Sequence, residues 1–211
     1  MTTNIRDSIA RRAAADLPEG VYVNLGVGIA TSVADHIPPT KEIIFHSENG
    51  LLGMGPAAAG RAVDPDLINA TKMPVSMLKG GAFMHHNDAF AMIRGGHIDY
   101  SLMGAFQVSA VGDLANWMIE GDKMPAIGGA MDLAVGAKNV WILMEHCTKR
   151  GEPKIVDKCT YPLTAGGVVK RIYTELAILD VTPRGLVLRE LMPGVEFDKL
   201  QAQTNAPISQ R

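Results

Sequence analysis

The sequence predicts an α/β protein with an open, mostly parallel sheet and helices on both faces, followed by a C-terminal β-hairpin and helix. Short apolar runs of strand length alternate with helical patterns along most of the chain, an order typical of parallel sheets. Polar, glycine-rich loops follow several of these runs. No internal repeat, low-complexity tract or linker interrupts the 211 residues, so one domain covering residues 1–211 is expected.

The individual elements follow from apolar spacing and from the residues that end each pattern. Apolar residues recur every four positions from Ile5 to Leu17, and the Pro-Glu-Gly turn at 18–20 ends this first helix. Further helices are predicted at about 29–37, 83–94, 129–137, 168–176 and 196–204. Strands are predicted at 21–25, 43–45, 67–69, 75–78, 98–103 and 140–144, and residues 177–181 and 186–191 form a predicted hairpin around the Thr-Pro-Arg-Gly turn.

Composition and charge exclude several classes of protein. Hydrophobic residues make up 47% and charged residues 20%, which is ordinary for a folded globular chain. The formal charge of −2, with scattered Lys and Arg, leaves no basic face for nucleic acid or an anionic membrane. The N-terminal residues lack the apolar core of a signal peptide, and Cys147 and Cys159 form no CxxC pair. We therefore expect a cytoplasmic protein without a disulfide framework.

Three polar loops at predicted strand ends mark a candidate reaction site. They occupy residues 24–28, 47–53 and 128–132, and the second contains the carboxylate of Glu48. Ligands of open parallel sheets bind beyond the carboxyl ends of the strands. The histidines, among them His85, His86 and His146, lack zinc-site spacing, so no metal site is predicted.

Residues 46–56, HSENGLLGMGP, resemble the glutamate signature of the β subunits of 3-oxoacid CoA-transferases. The similarity continues, in order, through residues 66–70, 80–83, 92–99, 112–117, 128–133 and 160–164. A four-residue match would be weak evidence, whereas an ordered set along nearly the whole chain is specific. The resemblance implies a CoA-transferase-like fold and an enzyme that moves CoA between carboxylic acids.

The resemblance also implies a mechanism and a partner. Glu48 attacks an acyl-CoA thioester and becomes a glutamyl-CoA thioester, which the acceptor acid then resolves in ping-pong fashion. Such a nucleophile needs no general base, because a glutamate is ionised near pH 7. The implied donor is succinyl-CoA and the acceptor a 3-oxo acid, coenzyme A being a substrate and no cofactor being required. The implied partner is a separate CoA-transferase α subunit, in a heterodimer or heterotetramer.

The resemblance assigns roles to individual residues. The backbone N–H of Gly129 is the candidate donor to the oxyanion, with the Asn24 side chain as a helper. Lys72 is expected to hold a substrate carboxylate or a CoA phosphate. The remaining residues predicted to shape the substrate or CoA site are Ser47, Asn49, Gly50, Gly26, Gly28 and Gly128.

Several alternatives stay open at this level. An acyl-CoA hydrolase would use the same glutamate, and a nucleotide-binding subunit would use Gly26 and Gly28, although Thr31 stands where a third fingerprint glycine is expected. The acceptor is acetoacetate or 3-oxoadipate, and the stretch GGAFMHH at 80–86 is nearer to the 3-oxoadipate subgroup. Candidates for the CoA phosphates are Arg61, Lys79, Lys149, Arg150 and Lys154, and nothing in the sequence selects among them.

Overall fold

Four α-helices and one 3-10 helix lie against a ten-stranded sheet in the computed structural model, which describes residues 4–60, 63–119, 121 and 125–210. The helices are α1 (Ile5–Asp16), α2 (His86–Arg94), α3 (Ala130–Gly136) and α4 (Phe197–Ala202), and the 3-10 helix is Ile29–His36. The strands of the large sheet are β1 (Val21–Leu25), β2 (Ile43–Ser47), β3 (Leu51–Ala57), β4 (Val75–Phe83), β5 (Tyr100–Met103), β8 (Asn139–Leu143), β10 (Val169–Tyr173), β11 (Ala177–Thr182), β12 (Gly185–Leu191) and β13 (Ile208–Ser209). A separate three-stranded sheet contains β6 (Gln107–Ser109), β7 (Leu114–Ala115) and β9 (Ile155–Val156).

The large sheet has a parallel centre and antiparallel flanks. Its strand order is β13-β12-β11-β10-β8-β5-β1-β2-β3-β4. The central run β10-β8-β5-β1-β2 is parallel throughout, whereas β2-β3-β4 and β10-β11-β12 are antiparallel. The carboxyl ends of β1, β2, β5 and β8 therefore meet at one edge, as the predicted fold class requires.

Apolar side chains fill a layer on each side of the sheet. In β8, Val140 and Ile142 pack into the layer beneath α2, α3 and α4, whereas Trp141 and Leu143 pack beneath α1 and the 3-10 helix. This alternation is the two-residue period of a strand that is buried on both faces. The prediction of helices on both faces is confirmed.

The predicted C-terminal hairpin is confirmed as β11 and β12, and α4 follows it. The helix predicted at 168–176 is wrong, because this segment forms β10 between β8 and β11. The register with β8 shifts between Val169 and Arg171, and this irregularity lets Val169 and Ile172 enter the same core layer three residues apart. A bulged strand thus imitates the spacing of a helix.

Other elements differ from expectation close to the candidate site. The helix predicted at about 29–37 forms at 29–36 as a 3-10 helix, whereas the strand predicted at 67–69 reduces to one bridge between Ile68 and Pro74. Strand β3 was not predicted. It follows β2 directly and pairs with it in antiparallel fashion, so the two strands form a hairpin. Of the helices the structure describes, none has the length and hydrophobicity to cross a bilayer.

Candidate active site

Glu48 occupies the tight turn that joins β2 to β3. The N–H of Gly50 donates to the Ser47 carbonyl at 2.9 Å, and the Gly50 carbonyl accepts from the N–H of Met84 at 2.9 Å. Gly50 has a φ of 111°, and a side chain there would collide with the Met84 carbonyl. Only glycine meets both conditions, so the turn that presents Glu48 depends on this residue.

The two neighbours of Glu48 anchor the turn to the loop at 67–74. The Ser47 hydroxyl accepts from the N–H of Ala70 at 3.1 Å, and the Asn49 side chain donates to the Ile68 carbonyl at 2.7 Å. Within the same loop Lys72 has a φ of 63°, the left-handed region that non-glycine residues seldom adopt. The structure therefore gives Ser47 and Asn49 structural bonds, and their contact with substrate stays a prediction, as does that of Lys72.

The Glu48 carboxylate faces α2 and the loop before α3. A Cβ built on Gly129 would lie 3.6 Å from Glu48 Oε1, so the two residues predicted to cooperate are adjacent. The same Cβ would lie 2.6 Å from Phe90 Cζ, which places the Phe90 ring directly against Gly129. The Phe90 ring also packs on His86, with centroids 4.8 Å apart.

Burial raises the pKa of the Glu48 carboxyl above its usual value, and the electrostatic effect of His86 opposes this shift. Among the described residues, no side chain or N–H forms a hydrogen bond or ion pair with the carboxylate. A partly desolvated carboxylate without such partners is more basic than a solvated one. It is also a better nucleophile for the same reason.

Gly128 and Gly129 form the approach to α3. Gly128 has a φ of 51°, and the Gly129 carbonyl accepts from the N–H of Leu133 at 3.1 Å, which starts the helix. In the portion of the chain that the structure describes, the Gly129 N–H has no hydrogen-bond acceptor. This donor lies beside Glu48, and its role at an oxyanion stays a prediction.

Asn24 lies fully buried in β1, next to His46 of β2. Its Nδ2 donates to His46 Nδ1 at 3.0 Å and to the His46 carbonyl at 3.3 Å. Both amide hydrogens therefore have partners within the sheet. The predicted role of Asn24 as an oxyanion donor would require its carboxamide to turn, and it stays a prediction.

The loop between β1 and the 3-10 helix is held by hydrogen bonds to β5 and within the loop itself. The N–H of Gly26 donates to the Leu102 carbonyl at 2.8 Å, and a Cβ on Gly26 would approach that oxygen to 2.9 Å. The carbonyls of Gly26 and Gly28 accept from the hydroxyl and the N–H of Thr31. In a dinucleotide-binding loop this turn would face the pyrophosphate. Here Thr31 fills the turn and bonds to its carbonyls.

Sequence reasoning missed Phe90 and gave His86 no role in the site. Their spacing of four residues on a predicted helix was the available signal, since it places both on one face. Of the candidates for CoA phosphates, Arg61 lies outside the described residues. Lys154 is half-buried, and burial lowers its pKa while Glu145 and Glu175 oppose the shift.

Comparison with known proteins agrees with this geometry. The model of the Coenzyme A transferase family matches residues 6–203. The chain is 54% identical over 204 residues to the B subunit of 3-oxoadipate CoA-transferase from Acinetobacter baylyi, covering 96% of this chain and 94% of that protein. It is 46% identical over 207 residues to the B subunit of succinyl-CoA:3-ketoacid coenzyme A transferase from Helicobacter pylori, covering 98% and 100%.

A solved structure shows the same fold. The apoenzyme of acyl-CoA transferase YdiF from Escherichia coli O157:H7 superposes with a TM-score of 0.77 at 20% identity, over 99% of this chain and 42% of that one. The fold and the sequence together define an enzyme that transfers coenzyme A. The chain belongs to the coenzyme A transferase family, and the resemblance to the β subunits of 3-oxoacid CoA-transferases is confirmed.

Proposed function

We propose that this chain is the catalytic subunit of an enzyme that moves CoA from succinyl-CoA to a 3-oxo acid through a thioester on Glu48. The observation that carries the proposal is the position of the Glu48 carboxylate, which is partly buried, adjacent to Gly129 and without a hydrogen bond or ion pair to any described residue. A covalent carrier must be nucleophilic and accessible to substrate, and it must have an oxyanion donor within reach. Glu48 meets these requirements at the end of β2.

The proposed reaction needs four substitutions at carbonyl carbon. A Glu48 oxygen attacks the succinyl-CoA carbonyl and expels CoA thiolate, leaving a mixed anhydride. The thiolate attacks the Glu48 carbonyl and expels succinate, which leaves the glutamyl-CoA thioester. The acceptor carboxylate then attacks the Glu48 carbonyl and expels the thiolate, which again leaves a mixed anhydride. The thiolate attacks the acceptor carbonyl of this anhydride and releases the Glu48 carboxylate.

The Gly129 N–H supports each of these steps in the same way. Every tetrahedral intermediate places negative charge on a former carbonyl oxygen. A donor held at the start of a helix, beside the reacting carboxylate, stabilises that charge without reorganisation. Removal of one such donor typically costs roughly 10²- to 10³-fold in kcat.

We further propose that a second, different subunit completes the site. Two relatives are named as B subunits, and such a name denotes one part of a larger enzyme. Large apolar side chains are exposed in three segments: Val27 in the loop after β1 is 69% exposed, Phe83 of β4, opposite Leu51, is 71% exposed, and Met131, two residues after Gly129, is 50% exposed. Exposed apolar surface of this kind is typical of a protein–protein interface. The isolated chain is therefore expected to transfer no CoA until the CoA-transferase α subunit is added.

We propose 3-oxoadipate as the acceptor. The identity of 54% to a 3-oxoadipate CoA-transferase chain exceeds the 46% to a succinyl-CoA:3-ketoacid one. The assembled enzyme should show a higher kcat/KM for 3-oxoadipate than for acetoacetate, because kcat/KM measures discrimination between substrates. Equal or reversed values would contradict this acceptor while leaving the Glu48 mechanism intact.

Borohydride trapping tests the carrier. The assembled enzyme is mixed with succinyl-CoA and borohydride, and peptide mass spectrometry should find Glu48 reduced to an alcohol. Glu48→Gln should abolish transfer and trapping, whereas Glu42→Gln, before the start of the same strand, should leave both unchanged. Reduction at another residue, or none during demonstrated turnover, would refute the mechanism.

The melting temperature of Glu48→Gln shows whether the variant loses activity because it lacks the nucleophile or because it fails to fold. Because burial raises the pKa of Glu48 in the folded state, the folded protein binds this proton more tightly than the unfolded chain. Ionised Glu48 therefore costs stability at neutral pH. Glu48→Gln should melt at the same or a higher temperature at pH 7, and this gain should vanish as the pH falls below the ordinary value of 4.5.

A further inference from the structure

Three polar side chains form a buried row across the sheet, just before Glu48. His46 of β2, Asn24 of β1 and Ser101 of β5 are direct register partners on adjacent parallel strands. All three are 0% exposed. Ile43 and Phe45 of β2 pack into the layer beneath α1, and because side chains alternate along a strand, His46 and its row face the opposite side, toward α2.

The hydrogen bonds of the row define the state of the His46 ring. Asn24 Nδ2 can only donate, and it lies 3.0 Å from His46 Nδ1. Nδ1 therefore accepts, and the ring proton is on Nε2. Burial lowers the pKa of His46 to about 4, with the Ala89 carbonyl of α2 opposing part of the shift. The ring is neutral at physiological pH.

The Nε2 side of the ring is directed at α2. The Ala89 carbonyl approaches it, although no hydrogen bond of ordinary distance and angle forms among the described residues. Ala89 is itself fully buried, and it precedes Phe90, the ring that packs against Gly129. The His46 side chain thus lies between β2, which leads into the Glu48 turn, and α2, which carries Phe90 against Gly129.

The row combines three buried polar side chains with few hydrogen bonds to other described residues. Asn24 Oδ1, His46 Nε2 and Ser101 Oγ are buried without hydrogen-bond partners in the described part of the chain. Each such atom typically costs about 1–3 kcal/mol. Another buried histidine, His146, shows the contrast, because both of its ring nitrogens bond to threonine hydroxyls, at 3.0 and 2.9 Å.

We propose that His46 is a positioning residue that fixes the distance between Glu48 and the α2 face that supports Gly129. The inference rests on the function proposed for Glu48. The imidazole spaces β2 from α2 on one side and is held by Asn24 on the other. Glu48 follows two residues later, so a shift of the ring moves the carboxylate relative to the Gly129 N–H.

Three substitutions separate the parts of this role. His46→Leu removes both ring nitrogens, His46→Asn keeps an acceptor near the Nδ1 position for Asn24, and His46→Gln extends an amide toward α2. We expect His46→Leu in the assembled enzyme to lower kcat about 10²-fold, the usual cost of a displacement near 1 Å, with KM for succinyl-CoA changed less than about threefold. The kcat of His46→Asn should be at least tenfold higher than that of His46→Leu, and the kcat of His46→Gln should lie below that of His46→Asn.

His146 supplies the matched control, since it is fully buried and burial lowers its pKa to about 4 as well. His146→Leu should lower the melting temperature and leave the kcat of the folded enzyme unchanged. Single-turnover trapping of the Glu48 thioester should slow in His46→Leu and not in His146→Leu. Normal kcat in His46→Leu, or a loss of kcat only in proportion to lost folded protein, would overturn the proposal.

The proposed carrier and the positioning role fail in different ways. If wild-type enzyme forms no Glu48 thioester, the proposed mechanism fails. If wild type forms the thioester and His46→Leu forms it at the same rate, only the positioning role fails.

Discussion

The contact between Gly129 and Phe90 makes Gly129→Ala the sharpest test of the site geometry. The added methyl would lie 2.6 Å from Phe90 Cζ, 3.0 Å from Cε1 and 3.6 Å from Glu48 Oε1. The φ of −85° and ψ of 7° at Gly129 suit alanine as well as glycine, so the effect of the substitution is steric rather than conformational. The carboxylate is at ordinary contact distance, and the strain falls on the ring.

The size of the effect follows from the overlap. Ordinary contact begins at 3.4 Å, so the ring or the Gly129 loop must move by about 0.8 Å. Overpacking of this kind typically costs about 1–3 kcal/mol of stability. A displacement near 1 Å at a reacting group costs about 10²-fold in rate, and we expect a loss of roughly that size in kcat.

The assay is a steady-state kcat for CoA transfer, with melting temperatures measured on the same preparations. Gly166→Ala is the control, because its Cβ would meet Asp113 Oδ1 at an ordinary 3.5 Å in an exposed loop. Adding Phe90→Leu to Gly129→Ala removes the clashing ring atoms and should recover at least tenfold, as a double-mutant cycle would show. A Gly129→Ala enzyme with normal kcat, or a double variant no better than the single one, would refute the reasoning.

Two further predictions concern the charges around Glu48. His86→Asn removes the imidazole whose electrostatic effect opposes the raised pKa of Glu48, so that pKa rises further and the acid limb of the kcat/KM–pH profile moves to higher pH. His85→Asn should leave the limb in place, and equal shifts in both variants would contradict the assignment. Lys72→Gly relieves a left-handed backbone, worth about 1 kcal/mol, and removes the amine. The melting temperature should hold or rise while KM for the carboxylic substrates increases, and an unchanged KM would exclude Lys72 from the substrate site.

Strand-level features near the site were predictable because they depend on local chemistry. Glu48 follows an apolar run of strand length and precedes an Asn-Gly pair, so the carboxylate at a strand end was evident. Gly50 has the positive φ that glycine adopts readily and that an Asn-Gly turn requires. The prediction failed for β10, where the register shift after Val169 depends on pairing with β8, which is distant in sequence.

The surroundings of Glu48 were not predictable in the same way. Phe90 and Gly129 come together through packing between α2 and α3, where Arg94 also forms an ion pair with Asp132 at 2.7 Å. The bond between Asn24 and His46 depends on the parallel register of β1 and β2. Neither contact has a signature in the order of residues.

The sequence by itself determined the class of enzyme, the parallel centre of the fold and the identity of the candidate nucleophile. The parallel centre follows from the periodicity of the chain, whereas the class of enzyme and the role of Glu48 are what the resemblance of its ordered motifs to 3-oxoacid CoA-transferases implies. Only the tertiary structure decided that Phe90 packs against Gly129, that Asn24 directs its amide hydrogens to His46, and that Glu48 lies beside Gly129 with no ion pair to the residues described. Register and helix packing join residues distant in sequence, and contacts over such separations are decided when the whole chain is folded.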